Sequence, residues 1–221
     1  MRLLSMRIPK ISNYFSISDK ETLNIPEVEF DQPSYIIYNE KTRTKFIKSV
    51  EKIIRSSLEY RELINYLKTA LGMNFCMFFN NISQEDIKKV GIEIHHIPFS
   101  LFDIVNIVLR KYETEELTID PLVIADEVMR LHYEGKVGLV PLSITVHELY
   151  HRGDLFIPLQ YVDKGFIAFY QEYKDYMKEY EEMLKRLIVL SKEFDLKNNT
   201  ILKKHLIYLN PEGYSQTPQY Q

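Results

Sequence analysis

Apolar positions divide this chain into short elements, most of them with helical spacing. From about Thr42 the residues Phe46, Ile47, Val50, Ile53 and Ile54 recur three and four apart, which predicts a helix. A second helical stretch over about 60–71 stops at Gly72, a residue suited to the left-handed turn that ends a helix. Phe75-Cys76-Met77-Phe78-Phe79 is a compact apolar run, read as a buried strand. Residues 80–83 turn the chain, and residues 89–96 return as an alternating strand. Ser100 and Asp103 form a capping-box pattern ahead of Ile104, Val105 and Val108. Asp120-Pro121 opens another helix, which reaches about Tyr133 and ends at Gly135. Residues 137–142 read as a strand, and Ser143 or Thr145 then caps a short helix stopped by Gly153. Residues 155–159 read as extended.

The longest predicted helix runs from Phe166 to about Phe194. Phe166, Tyr170, Tyr173, Met177, Tyr180, Leu184 and Leu187 alternate four and three apart, a heptad pattern. Tyr176, Met183 and Leu190 widen the stripe, which favours packing on the chain's own core over a seam between two copies. A dimer through this helix is the alternative. Residues 1–40 are broken by Pro9, Pro26 and Pro33, with a short strand expected at 34–38. The last dozen residues, rich in Gln, Pro and Tyr, read as a loose tail. The chain shows no internal repeat.

With 221 residues and 45% hydrophobic content, the chain can bury one large core or a small one with additions. No run reaches the length of a membrane span, and the apolar stretch near the start is too short for a secretory signal. The single cysteine, Cys76, leaves no intrachain disulfide and reads as a core residue. These features predict a cytoplasmic protein without a membrane partner. A net charge of −3 argues against a simple nucleic-acid binder, which needs clustered cations. Between residues 41 and 61, however, Lys41, Arg43, Lys45, Lys48, Lys52, Arg55 and Arg61 stand against only Glu51 and Glu59. A local basic face can bind a polyanion on an acidic protein, although a plain solvated helix face has the same composition.

Two short runs concentrate the chemistry. Ile92-Glu93-Ile94-His95-His96 and Val146-His147-Glu148-Leu149-Tyr150-His151-Arg152-Gly153 hold four of the six histidines. On a strand His95 and His96 point to opposite faces, so one can bind a metal while the other addresses a substrate. His147 and His151, four apart, share one face of a helix. One strand histidine and two helix histidines make three nitrogen ligands with a position left open, the form of a catalytic metal site. His132 and His205, isolated in the sequence, carry no predicted role.

Glu93-Ile94-His95-His96 followed by His147-x-x-x-His151-Arg152-Gly153 resembles the HNH (ββα-metal, or His-Me finger) endonucleases, especially the colicin-DNase variant, over roughly residues 75–158. The resemblance implies His95, His147 and His151 as ligands of one divalent ion, His96 as general base and Glu93 as support. It also implies DNA as the partner and a phage or mobile element as the source. Arg152 and Lys89 are candidates for contacting the phosphate. Zinc, nickel or cobalt suits three imidazoles, and magnesium serves many members of the family. One position departs from the pattern: Gly138 stands where the family has an Asn that steadies the loop holding the base.

The expectation is therefore an α+β, mostly helical protein, with a ββα-metal finger and a helical insertion between its two strands. N-terminal helices (1–73) and a long C-terminal helix and tail (161–221) flank a core at 74–160, with the insertion at 99–135. The expected activity is metal-dependent hydrolysis of DNA phosphodiester bonds. The alternatives are a non-catalytic finger binding nucleic acid or protein, and a zinc peptidase using His147-Glu148-x-x-His151.

Overall fold

The computed structural model describes residues 39–78 and 91–193. Lys89, His205, the strand expected at 34–38, the turn at 80–83 and the C-terminal tail lie outside the described residues. Within them the protein is α+β and mostly helical, with seven α-helices and one two-stranded sheet.

Helix α1 (Glu40–Ser56) starts at Asn39, whose side chain accepts from the Lys41 N–H, and buries Phe46, Ile47, Val50 and Ile54. Ser57 caps α2 (Leu58–Thr69), and Gly72 follows it with φ of 72°. The capping box is formed at the start of α3 (Leu101–Thr114), where Ser100 and Asp103 satisfy each other's backbone donors. Asp120 accepts from Leu122 and Val123 to start α4 (Pro121–Tyr133). These four helices pack into the larger core, which is entirely apolar at Val50, Ile107, Val108, Ile124, Val128 and Leu131. Each such side chain contributes roughly 1.5–3 kcal/mol by leaving water. The insertion thus builds the larger core together with α1, and is no appendage to the finger.

Strand β1 (Ile92–His96) pairs antiparallel with β2 (Leu139–Ser143), with Ile94 opposite Pro141 and His95 opposite Val140. Helix α5 (Ile144–His151) follows β2 directly, started by Ser143 rather than Thr145. A second, smaller core lies here: Cys76, Phe78, Val140, Leu142, Val146, Leu149, Leu155 and Ile157. From Glu93 to His96 alternation separates the two cores, with Ile94 against the larger one and Val140 and Leu142 of β2 in the smaller, which Ile92 also joins.

Two expectations are corrected. Over the described residues 75–78 the expected strand does not form: only Phe75 forms a bridge, and Met77 N–H donates to the Pro141 carbonyl at 2.8 Å. Proline has no N–H to return a bond, so β2 cannot extend the ladder on that side. The long C-terminal helix is also broken, into α6 (Gly165–Tyr173), two 3-10 turns and α7 (Glu181–Glu193). Tyr173 and Met177 leave helical geometry, and this turn lets both sink completely into the larger core. Of the predicted stripe Tyr173, Met177 and Leu184 are buried in the chain's own core, joined by Phe169, whereas Tyr170 and Leu190 are exposed.

Gly138 has a packing reason. Its carbonyl accepts from Ile97 N–H at 3.1 Å, continuing the pairing past His96. A Cβ there would sit 2.0 Å from the Ile97 carbonyl oxygen and 2.9 Å from Phe166 Cβ. No side chain fits, Asn included. We expect Gly138→Ala to lose at least about 2 kcal/mol in urea unfolding, since backbone must move to admit the methyl. An unchanged midpoint would contradict this close approach.

Candidate metal centre

β1 and α5 bring three histidines to one point. Alternation turns Glu93 and His95 toward α5, while one helical turn separates His147 from His151. His147 Nε2 lies 2.9 Å from His95 Nδ1 and 2.9 Å from His151 Nε2. One ligand atom from each of the three falls within 4.8 Å of the others. On its far side, His147 Nδ1–H donates to the Glu93 carboxylate at 2.5 Å. Tyr150 packs its ring edge-on to His95, with centroids 4.9 Å apart.

His147 Nε2 is shared between the two other rings. Glu93 fixes the proton of His147 on Nδ1, leaving a single lone pair on Nε2. That lone pair faces two ring nitrogens at equal distance, and it can accept a well-directed bond from only one. A metal ion would take one lone pair from each ring. Two of the rings, His95 and His147, are held toward the neutral form that ligation needs. Burial first, then the charges of His147, His151 and Arg55, hold His95 down to about 3. Burial lowers His147 too, with Glu93 acting in the opposite direction.

His96 is not brought to this cluster. It points to the other face of β1, is 5% exposed, and meets His132 of α4 with the two Nε2 atoms 2.8 Å apart. His132 Nδ1–H donates to the Val128 carbonyl at 2.7 Å, so its Nε2 is the acceptor and His96 Nε2–H the donor. Burial, then the neighbouring His132, holds His96 well below its usual range, and burial holds His132 down to about 4. His132 is the partner that inspection of isolated histidines passes over. Its signal is the spacing Ile124, Val128, His132, which puts it on the buried face of α4.

The remaining candidates sit outside the cluster. Arg152 follows α5 and pairs with Asp154 at 3.0 Å, both well exposed. Glu148 is exposed on the flank of α5 and acts on His147 only through its charge. The third histidine comes from β1, and the carboxylate touching the cluster is Glu93, neither of which the peptidase pattern supplies. Among the described residues no helix is long and apolar enough to cross a membrane.

A family model described as Bacteriophage G278-like virion protein matches residues 9–212. No curated protein and no solved structure matches the chain.

The buried imidazoles set a direction for acid stability. His95 and His132 are neutral when folded down to about 3 and about 4, whereas unfolded they titrate at 6.5. Below that value the unfolded chain binds protons that the folded chain refuses, so stability is intact above it and falls with falling pH. Each such group costs about 1.4 kcal/mol per pH unit once the unfolded chain is protonated. Urea midpoints in a chelator should therefore drop between about pH 6.5 and 5, before carboxylates titrate. A flat profile across that interval would mean these rings are not held neutral.

Proposed function

The chain belongs to the bacteriophage G278-like virion protein family, and on that premise we propose that His95, His147 and His151 hold one divalent cation in a ββα-metal unit that engages DNA phosphate. The observation that carries this reading is the convergence of one ring nitrogen from each of His95, His147 and His151 on a single point. The donor set suits zinc, nickel or cobalt, which accept imidazole readily. Glu93 orients His147 and raises its donor strength, as carboxylates behind metal-bound histidines do. Three protein ligands leave a position for an outside oxygen, and a bound cation supplies electrostatic stabilisation of phosphoryl charge.

The geometry favours binding over turnover. A general base must reach the proton that it removes, yet His96 lies buried on the opposite face of β1 with its proton directed at His132. Gly138 cannot take the side chain that steadies such a base. Hydrolysis of DNA phosphodiester bonds is the second reading, supported by the open ligand position and the succession β1, β2, α5. In that reading His96 leaves the His132 contact to serve as base, and the phosphate meets Arg152.

Calorimetric titration should show one zinc, nickel or cobalt ion per chain. His147→Ala should abolish uptake, and Glu93→Gln should weaken it about 10- to 100-fold. No uptake of any of these ions would sink the metal reading. Supercoiled plasmid distinguishes the two uses of the site. Intact plasmid with every loaded ion supports binding alone, whereas metal-dependent nicking abolished by His96→Ala establishes the endonuclease.

A further inference from the structure

We propose that the exposed face of α1 is a docking track for the backbone of double-stranded DNA. Lys41, Lys45, Lys48, Lys52 and Arg55 follow one another at alternating steps of four and three, and all are exposed. On a helix of 3.6 residues per turn they fall within about 80° of arc, in a row about 21 Å long. The row lies diametrically opposite the buried Phe46, Ile47, Val50 and Ile54, so packing holds it outward. Arg43, by contrast, turns inward to Asn106 and to Glu113 at 2.5 Å and takes no part in the row.

Folding gives no reason for this arrangement. Like charges three and four apart repel along a helix, and a lysine in the first turn opposes the helix dipole. Among the described residues the four lysines have no acidic partner. Arg55 has only Glu51, at 3.5 Å and largely in water, which is worth little. The whole chain is acidic at −3, so the row is not a sample of a generally basic surface. Such a row is repaid by an external polyanion that releases counterions on contact.

Several features select duplex DNA among polyanions. A rigid, straight row of cations matches a stiff, evenly charged rod. The apolar face of α1 is buried in the core, so the helix cannot lie in a bilayer interface as amphipathic membrane helices do. The cations reach no base edges by themselves, so the binding is indifferent to sequence. Arg55 ends the row on the side of the histidines, where its charge disfavours protonation of His95, His96 and His132. The track shares its partner with the metal reading but does not depend on a metal.

The test is fluorescence anisotropy of the full chain with a labelled duplex of about 20 base pairs in chelator, across about 50 to 200 mM salt. Five contacts predict that log Kd rises with log salt at a slope of about 4.5. Lys45→Glu, Lys48→Glu and Lys52→Glu together should weaken binding at low salt by 100-fold or more and lower that slope by about 2.7. Because the chelator removes any cation from the histidines, binding under these conditions separates this proposal from the metal site. If the reversal variant loses its cooperative thermal transition, Lys→Gln at the same three positions decides instead. No binding by the parent at low salt overturns the track. So does a Kd within twofold of the parent in the folded variant, or tighter binding to polyglutamate or anionic vesicles than to DNA.

Discussion

The period-two alternation of β1 sends adjacent side chains into two different environments, and the molecule is arranged around that division. Glu93 and His95 face α5 and the smaller core, while Ile94 and His96 face the helices of the larger one. A shift of one residue in register would exchange them, burying a carboxylate in the helical core and leaving a histidine pair unmatched. Several contacts fix the register. Ile97 and Gly138 continue the ladder beyond His96, and Ile144 N–H closes it at the other end on the Gly91 carbonyl. Lys68 reaches across from α2 to the Ile92 carbonyl.

Most buried polar groups are matched, and the matches lie between elements rather than within them; among the described residues Arg43 Nη2 and Arg110 Nε are buried without a partner. Glu127 on α4 accepts from Lys111 and Tyr112 of α3 and from Tyr173 of α6, so one carboxylate ties three helices. These partners hold it below the usual carboxylate range despite burial, which by itself would raise it. The pair His96 and His132 does the same between β1 and α4 without a charge. A neutral pair costs less to bury than an ion pair, and it fixes both rings provided that neither gains a proton.

Much of this was legible in the sequence, because local rules set the helix ends. Asp120-Pro121, Ser100 with Asp103, and the glycines at 72, 135 and 153 mark boundaries that the structure keeps. That one histidine of β1 meets His147 and His151 followed from strand alternation and helical spacing; that it is His95, with Glu93 behind the cluster, followed from the resemblance to the HNH endonucleases. What escaped depends on distant neighbours. Periodicity carried the last helix straight through Tyr173 and Met177, since nothing local says that the core lies to one side and the chain must turn to reach it. Phe75 to Phe78 looked like a strand, and the missing N–H of Pro141 on the neighbouring strand was the deciding fact. Arg43 counted as a surface cation until Glu113 and Asn106, far along the chain, came beside it.

The helices between β1 and β2 have a consequence for how the histidines meet. An unstructured connection of about forty residues would make closing the hairpin about 2 kcal/mol more costly in chain entropy than a tight turn of four. Here α3 and α4 run out and back against α1, so once they are packed the ends of the two strands stand side by side. The entropy of closure is then carried by the burial of Val105, Val108, Ile124 and Val128, far from any imidazole. Assembly of the cluster is thereby coupled to the cooperativity of the helical core: a lesion in that core would scatter the three rings as surely as the loss of one of them.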